Sequence, residues 1–126
     1  HGYYRNVDDV TIDPSIMSRV YRAYGITLMG FAHGDGLRKS DVSDLLLREA
    51  RDLVSETVES VFFTGHLHHE MKIDLGGATL YQLASPADTD RYHERNAYNL
   101  ARKQSTAFII DEQTGMRAHL NYPVII

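Results

Sequence analysis

Two short apolar runs constrain the fold of this 126-residue chain more than any other feature. Residues 26–32 (ITLMGFA) are followed at once by a histidine and a glycine, and residues 58–64 (VESVFFT) by a glycine and a histidine. Nearly continuous apolar runs of this length, bounded by glycines, are typical of strands buried on both faces, as in a parallel sheet. We therefore predict two buried strands, each with a histidine just beyond its carboxyl end.

A helical pattern separates the two runs. Ser40 offers an N-cap, and Asp41 and Asp44 are favourably placed in the first turn. Apolar residues then recur at helical spacing, at Val42, Leu45, Leu46, Ala50, Leu53 and Val54. A strand–helix–strand unit normally joins parallel neighbours. The two histidines are therefore predicted to emerge at the same edge of the sheet.

Turn signals divide the remainder into antiparallel pairs. Gly76-Gly77 and residues 112–115 (EQTG) each separate two strand-like segments. The expected strands are residues 70–75, 78–84, 105–111 and 116–122.

Two further short strands are expected near the start, at residues 7–13, which alternate weakly before Pro14, and at residues 17–23. The predicted fold class is α/β, with a strand–helix–strand crossover followed by antiparallel hairpins. No repeat or long linker divides the chain, so we expect one unit over residues 1–126.

Composition narrows the functional classes. Charged residues make up 24% and the formal net charge is −4, which argues against a dedicated nucleic-acid-binding module. A phosphodiesterase stays open, because a metal centre supplies its own positive charge. The absence of cysteine excludes disulfides and thiolate metal sites. No apolar run approaches the roughly 20 residues that cross a bilayer, so we expect a cytoplasmic protein without a membrane partner.

Three histidines are candidate metal ligands. His66 and His68 lie two positions apart, so in extended backbone their imidazoles point to the same side. His33 would join them at the shared sheet edge, and neutral imidazole commonly binds zinc, manganese and iron. The alternative is that these are surface or loop histidines, as we expect for His93 and His119.

The segment VFFTGHLH at residues 61–68 resembles the Gly-His-x-His motif that closes the calcineurin-like metallophosphoesterase domain. Residues 29–35 (MGFAHGD) resemble the strand-His-Gly-Asp segment of many bacterial members. One intervening helix and the strand pair at 70–84 fit the family's order, so the resemblance covers most of residues 25–122. The layout looks most like phage-associated or repair-nuclease-like members.

The resemblance implies a two-metal centre of manganese, iron or zinc, in which His33 and His66 bind one ion and His68 the other. A hydroxide generated there would attack a phosphoester, with nucleic acid the preferred substrate class. Asp35 would orient the loop around His33. His69 would support the ligands or contact substrate, with a solvated loop position equally open.

The sequence also departs from the family. Its Asp-x-His, Gly-Asp-x-x-Asp and Gly-Asn-His-Asp/Glu motifs are absent, and His69-Glu70 stands where a proline is common. The absent motifs supply the carboxylate that bridges the ions and the catalytic residues. We therefore expect the C-terminal part of such a domain, inactive without its N-terminal half. Exposed sheet edges would favour self-association.

Two other functions remain open. A metallo-β-lactamase-like hydrolase has the motif His-x-His-x-Asp-His, but residues 66–71 read HLHHEM, with Glu70 and Met71 at its last two positions. A non-catalytic structural or interaction domain would make the histidines incidental. Residues 85–104, which carry several arginines, would form a solvated helix or, less favoured, a groove for a phosphate-bearing substrate.

Overall fold

The computed structural model describes residues 7–13, 17–66, 70–85 and 103–124. Over these residues the protein is a mixed α/β structure with a five-stranded and a two-stranded sheet. A short 3-10 turn at Lys39–Asp41 precedes the first helix. In chain order the elements are β1 (Arg19–Tyr24), β2 (Thr27–Ala32), α1 (Val42–Glu49), α2 (Arg51–Glu56), β3 (Glu59–Thr64), β4 (Met71–Asp74), β5 (Thr79–Gln82), β6 (Gln104–Asp111) and β7 (Gly115–Pro123).

The two apolar runs form neighbouring inner strands of the larger sheet, whose order is β1-β2-β3-β5-β4. β2 and β3 are parallel, with Thr27 opposite Glu59 and Ala32 opposite Thr64. The helices connect them, which confirms the predicted crossover. Because both strands end at the same register position, the residues that follow Ala32 and Thr64 leave the sheet at a common edge, here called the carboxyl edge.

Both predicted hairpins are present. β4 and β5 pair antiparallel around Gly76-Gly77, and β6 and β7 pair antiparallel around a turn at residues 112–114. β5 also pairs in parallel with β3, which the sequence analysis did not predict. Leu80 and Tyr81 of β5 are both buried although they point to opposite faces, as expected for a strand enclosed on both sides.

The strand predicted at residues 7–13 is wrong, because these residues form no strand. Asp8 and Asp9 form a turn instead, and the backbone nitrogen of Val10 donates a 3.1 Å hydrogen bond to the carbonyl of Val7. Aspartate favours turns because its short side chain competes for nearby backbone donors. The strand predicted at residues 17–23 is present as β1.

The predicted helix is also present, but its start and continuity differ. Ser40 lies in the 3-10 turn rather than at the N-cap, and its hydroxyl donates to the carboxylate of Asp41 at 3.3 Å. Asp41 occupies the N-cap of α1 without a side-chain capping bond. The helix is then interrupted at Ala50, whose backbone (φ −131°, ψ 29°) separates α1 from α2.

The sheet has an apolar layer on each face. The helical side carries a cluster of buried residues: Leu28, Val42, Leu46, Ala50, Phe62, Ala78 and Leu80. On the opposite face the β6–β7 hairpin packs through Phe108 and Met116 onto Val61, Phe63 and Tyr81. The described residues therefore form three layers: helices, sheet and hairpin.

The hairpin turn is seated against the start of β2. Gly25 has φ +54°, and a Cβ there would come within 2.0 Å of the carbonyl oxygen of Glu112. The backbone nitrogen of Ile26 donates to that same oxygen at 3.1 Å. This close approach requires glycine, and it places the open end of the hairpin towards the carboxyl edge.

Across the described ranges, neither helix has the length and apolar character needed to span a membrane. Residues 86–102 lie outside the described residues, so the helix or substrate groove predicted at 85–104 stays a prediction.

Candidate metal centre

The carboxyl edge brings His33 and His66 together. His33 directly follows β2, and His66 follows Gly65 after β3. The backbone nitrogen of Gly65 donates a 3.0 Å hydrogen bond to the carbonyl of His33, which holds the two loops together past the end of the paired strands. The predicted meeting of these two histidines is therefore present in the structure, although they are 33 positions apart.

The two imidazoles face each other through their ring nitrogens. Nδ1 of His66 lies 3.1 Å from Nε2 of His33, with ring centroids 5.0 Å apart and ring planes at 72°. Two nitrogens that bind one ion at about 2.0–2.2 Å, with ordinary coordination angles, are about 3–3.5 Å apart. The donor types and their separation thus fit two ligands of one divalent ion. The same distance also permits a hydrogen bond between neutral rings.

His66 has an unusual backbone. Its φ of +63° makes it the one non-glycine residue of the described ranges in the left-handed region. This conformation costs roughly 1–2 kcal/mol for a residue with a Cβ, and such strain concentrates at functional sites. Gly34 faces it, and a Cβ there would lie 3.2 Å from Cβ of Thr64 and 3.7 Å from Cβ of His66. Gly34 itself has φ +102°, a conformation that favours glycine, and its one tight neighbour would be Thr64.

Asp35 lies on the far side of the His66 ring. Its Oδ1 is 3.7 Å from Nε2 of His66, within ion-pair range but too long for a hydrogen bond. The Asp35 side chain is 79% exposed and that of His66 is 39% exposed. A carboxylate beside the outer nitrogen is the arrangement that commonly orients a metal-binding imidazole. The resemblance implies instead that Asp35 orients the loop around His33, and that role stays a prediction.

Open space surrounds His33. It contributes to cavities of about 530, 290 and 200 Å³. The largest has a mainly apolar wall that includes Phe31 and Phe63, the second includes His66, and the smallest includes Arg19 and Asp35. Ligand sites in proteins typically occupy about 300–1,000 Å³. The histidine pair is thus accessible from several directions.

The remaining predicted site residues are not placed together here. His68 and His69 lie outside the described residues, as does His93, so the third ligand stays a prediction. In the part of the chain that the structure describes, no group of three or more potential ligands is arranged to hold a metal ion. His119 is on β7, where its ring packs 5.9 Å from that of Tyr81.

Other residues at the carboxyl edge carry no sequence motif that would have predicted them there. Arg19 pairs with Ala32 across the β1–β2 ladder and therefore reaches the cavity beside His33. Met17 and Leu83 line the largest cavity. Because side chains alternate along a strand, the sequence predicts that Phe31 and Met29 of β2 lie on the same face of the sheet. Only the strand register shows which residues lie beside Phe31.

Comparisons with models of protein families, with curated proteins and with solved structures gave no match. The two histidine motifs and the geometry at the carboxyl edge are therefore the features that bear on function.

Proposed function

We propose that this chain is part of a metal-dependent phosphoester hydrolase of the calcineurin-like type, acting as a phosphodiesterase or phosphatase. His33 and His66 bind one divalent ion, and His68 binds a second. The observation that supports this most strongly is the 3.1 Å separation of Nδ1 of His66 from Nε2 of His33 at the carboxyl edge. Ligands in α/β folds commonly bind at this edge of the sheet.

Each residue has a defined role in this proposal. The two imidazoles hold the ion, and the carboxylate of Asp35, 3.7 Å from the outer nitrogen of His66, favours a proton on that nitrogen and so leaves the inner one free for the ion. Bound divalent ions would neutralise the phosphoryl oxygens and lower the pKa of water. The resemblance implies that a bridging carboxylate and further catalytic residues, for which this sequence has no matching motif, would complete the centre. The strained backbone of His66 supports a functional role, because a purely structural residue at this position would favour glycine.

Two alternatives make different use of His33. A metallo-β-lactamase-like site has no role for this residue, so its contact with His66 favours the phosphoesterase. A non-catalytic domain would explain the contact as a hydrogen bond between neutral rings. Metal titration separates this last alternative from the proposal.

The test is a calorimetric titration of Mn²⁺ or Zn²⁺ into the 126-residue chain. We expect saturable binding that His33→Gln and His66→Asn each weaken by about tenfold or more, since removal of groups that merely orient ligands already costs 10–100-fold. Asparagine is chosen at position 66 because it tolerates a positive φ. His119→Gln is the matched control, because it removes an exposed imidazole from β7 and leaves the pair intact.

Equal affinity in the wild type and both edge variants would reject the metal site. Hydrolysis of bis-p-nitrophenyl phosphate is a separate readout. We expect none from the chain alone, and turnover that requires His33 would show that the chain needs no second half.

A further inference from the structure

We propose that Phe31 forms a stacking platform for a flat aromatic group of the substrate, so that the enzyme acts on phosphoesters that carry a nucleobase or another aryl ring. This inference rests on the proposed function, because it places the phosphate at His33 and His66. It adds the substrate class, which the metal ligands do not specify.

Three aromatic rings form a row across the sheet. Phe31, Phe63 and Tyr81 occupy matching register positions on β2, β3 and β5. The rings of Phe31 and Phe63 are stacked at 5.3 Å and 17°, and those of Phe63 and Tyr81 at 5.8 Å and 21°. The next residue in the register is Val20 of β1, so the aromatic row ends at Phe31.

The two ends of the row differ in their surroundings. Tyr81 and Phe63 are buried and packed edge-on against Phe108 of the hairpin. Phe31 is 40% exposed, and the neighbouring Met17 is 71% exposed. Stacking on Phe63 therefore fixes the Phe31 ring on one side, Val20 of β1 is its neighbour on the other, and 40% of Phe31 stays exposed. A further flat ring would stack, offset, on the exposed part of the Phe31 ring.

The exposed ring adjoins the proposed metal site. Phe31 and His33 line the same cavity of about 530 Å³, together with Met17, Phe63 and Leu83. This space is broadly open to solvent, so a flat organic group can reach both residues from outside. A phosphate held at His33 would leave its organic substituent beside Phe31. Stacking on an aromatic side chain tolerates any flat ring, so the platform selects for ring planarity rather than for a particular base.

The test compares matched ligands on the Mn²⁺-loaded chain by NMR or calorimetry. One pair is adenosine 5′-monophosphate and ribose 5-phosphate, and the other is phenyl phosphate and methyl phosphate. We expect the aromatic member to bind about fivefold to a hundredfold more tightly, the range expected for one stacked ring. A preference in both pairs indicates any aryl group, and a preference in the first pair alone indicates a nucleobase.

Variants assign the preference to Phe31. Phe31→Leu should abolish it at unchanged Mn²⁺ affinity, and Phe31→Tyr, which keeps the ring, should retain it. Tyr24→Leu is the control, because it removes a 50% exposed aromatic ring that does not line the cavity.

Three results would overturn the platform. The first is equal binding of the paired ligands, and the second is a preference that survives in Phe31→Leu. The third is that Phe31→Leu loses self-association without any change in ligand binding, which would assign Phe31 to a protein contact. If the proposed function is wrong, the chain will bind no Mn²⁺ at His33 and His66, and this result is distinguishable from failure of the platform. Adenosine without phosphate then still reports on the platform through Phe31.

Discussion

The carboxylate of Glu59 accepts a 2.6 Å hydrogen bond from the backbone nitrogen of Met116, across 57 positions of sequence. The same Oε1 accepts from the hydroxyl of Thr27 at 2.7 Å. Glu59 therefore joins β2, β3 and the hairpin at the end of the sheet opposite the histidines. At the carboxyl edge Glu70 has a comparable role, accepting from Gln104 and Asn121. These two carboxylates tie both ends of the hairpin to the larger sheet.

Replacement of Glu59 by alanine should lower the free energy of unfolding by about 1–3 kcal/mol, because it leaves the partly buried donors on Met116 and Thr27 without their acceptor. Glu59→Gln keeps one acceptor oxygen and should cost less than half as much. Urea unfolding measures both. The control is Glu56→Ala, at an exposed acidic position on α2, where we expect a change within about 0.5 kcal/mol. Similar losses of stability in the Glu59 and Glu56 variants would show that Glu59 does not join the hairpin to the larger sheet.

The contact between Glu49 and β1 predicts a pH dependence of stability. Hydrogen bonds from Arg19 and then from Tyr21 lower the pKa of the Glu49 carboxyl from 4.5 to about 2. A lowered pKa in the folded state stabilises the fold above pH 4.5, and the contribution disappears as the pH falls from 4.5 towards 2. Because the Glu49 side chain is 32% exposed, solvent screening reduces the effect to the order of 1 kcal/mol.

Melting temperatures between pH 2 and 6 test this contribution. Glu49→Gln should flatten the curve in the acidic limb. Asp44→Asn on the same helix removes a charge from a pair that is 65% exposed on both sides, and should leave the limb unchanged. An unaltered limb in Glu49→Gln would assign the acid sensitivity to other carboxylates.

His66 is both strained in its backbone and a proposed metal ligand. We therefore expect its replacement by glycine to stabilise the fold while weakening metal binding. His66→Gly relieves the left-handed strain and should raise the free energy of unfolding by up to about 1 kcal/mol. His33→Gly loses the same imidazole contact without that relief, because His33 has no positive φ, and should lower stability by about 0.5–1 kcal/mol. Chemical denaturation of the metal-free proteins measures both. Changes of the same sign and size would show that the position carries no strain.

Local patterns were sufficient for much of the fold. The apolar runs that became β2 and β3, the helical spacing between them and the glycine turn of the β4–β5 hairpin each depend on neighbouring residues alone. The strand prediction at residues 7–13 was wrong because Asp8 and Asp9 form a turn there instead. Local patterns also failed where tertiary pairing decided the outcome, as for the parallel contact of β5 with β3.

The sequence by itself determined that His33 and His66 follow two parallel strands, because strand period and crossover geometry are properties of short segments. Only the tertiary structure decided which ring nitrogens of the two histidines meet and that His66 adopts a positive φ. It also decided that Phe31 ends a row of aromatic rings beside the cavity that His33 lines. Those relationships depend on strand register and on loop conformations stabilised by contacts between residues more than 30 positions apart. No local pattern encodes such contacts, because their energy is realised only once the sheet has formed.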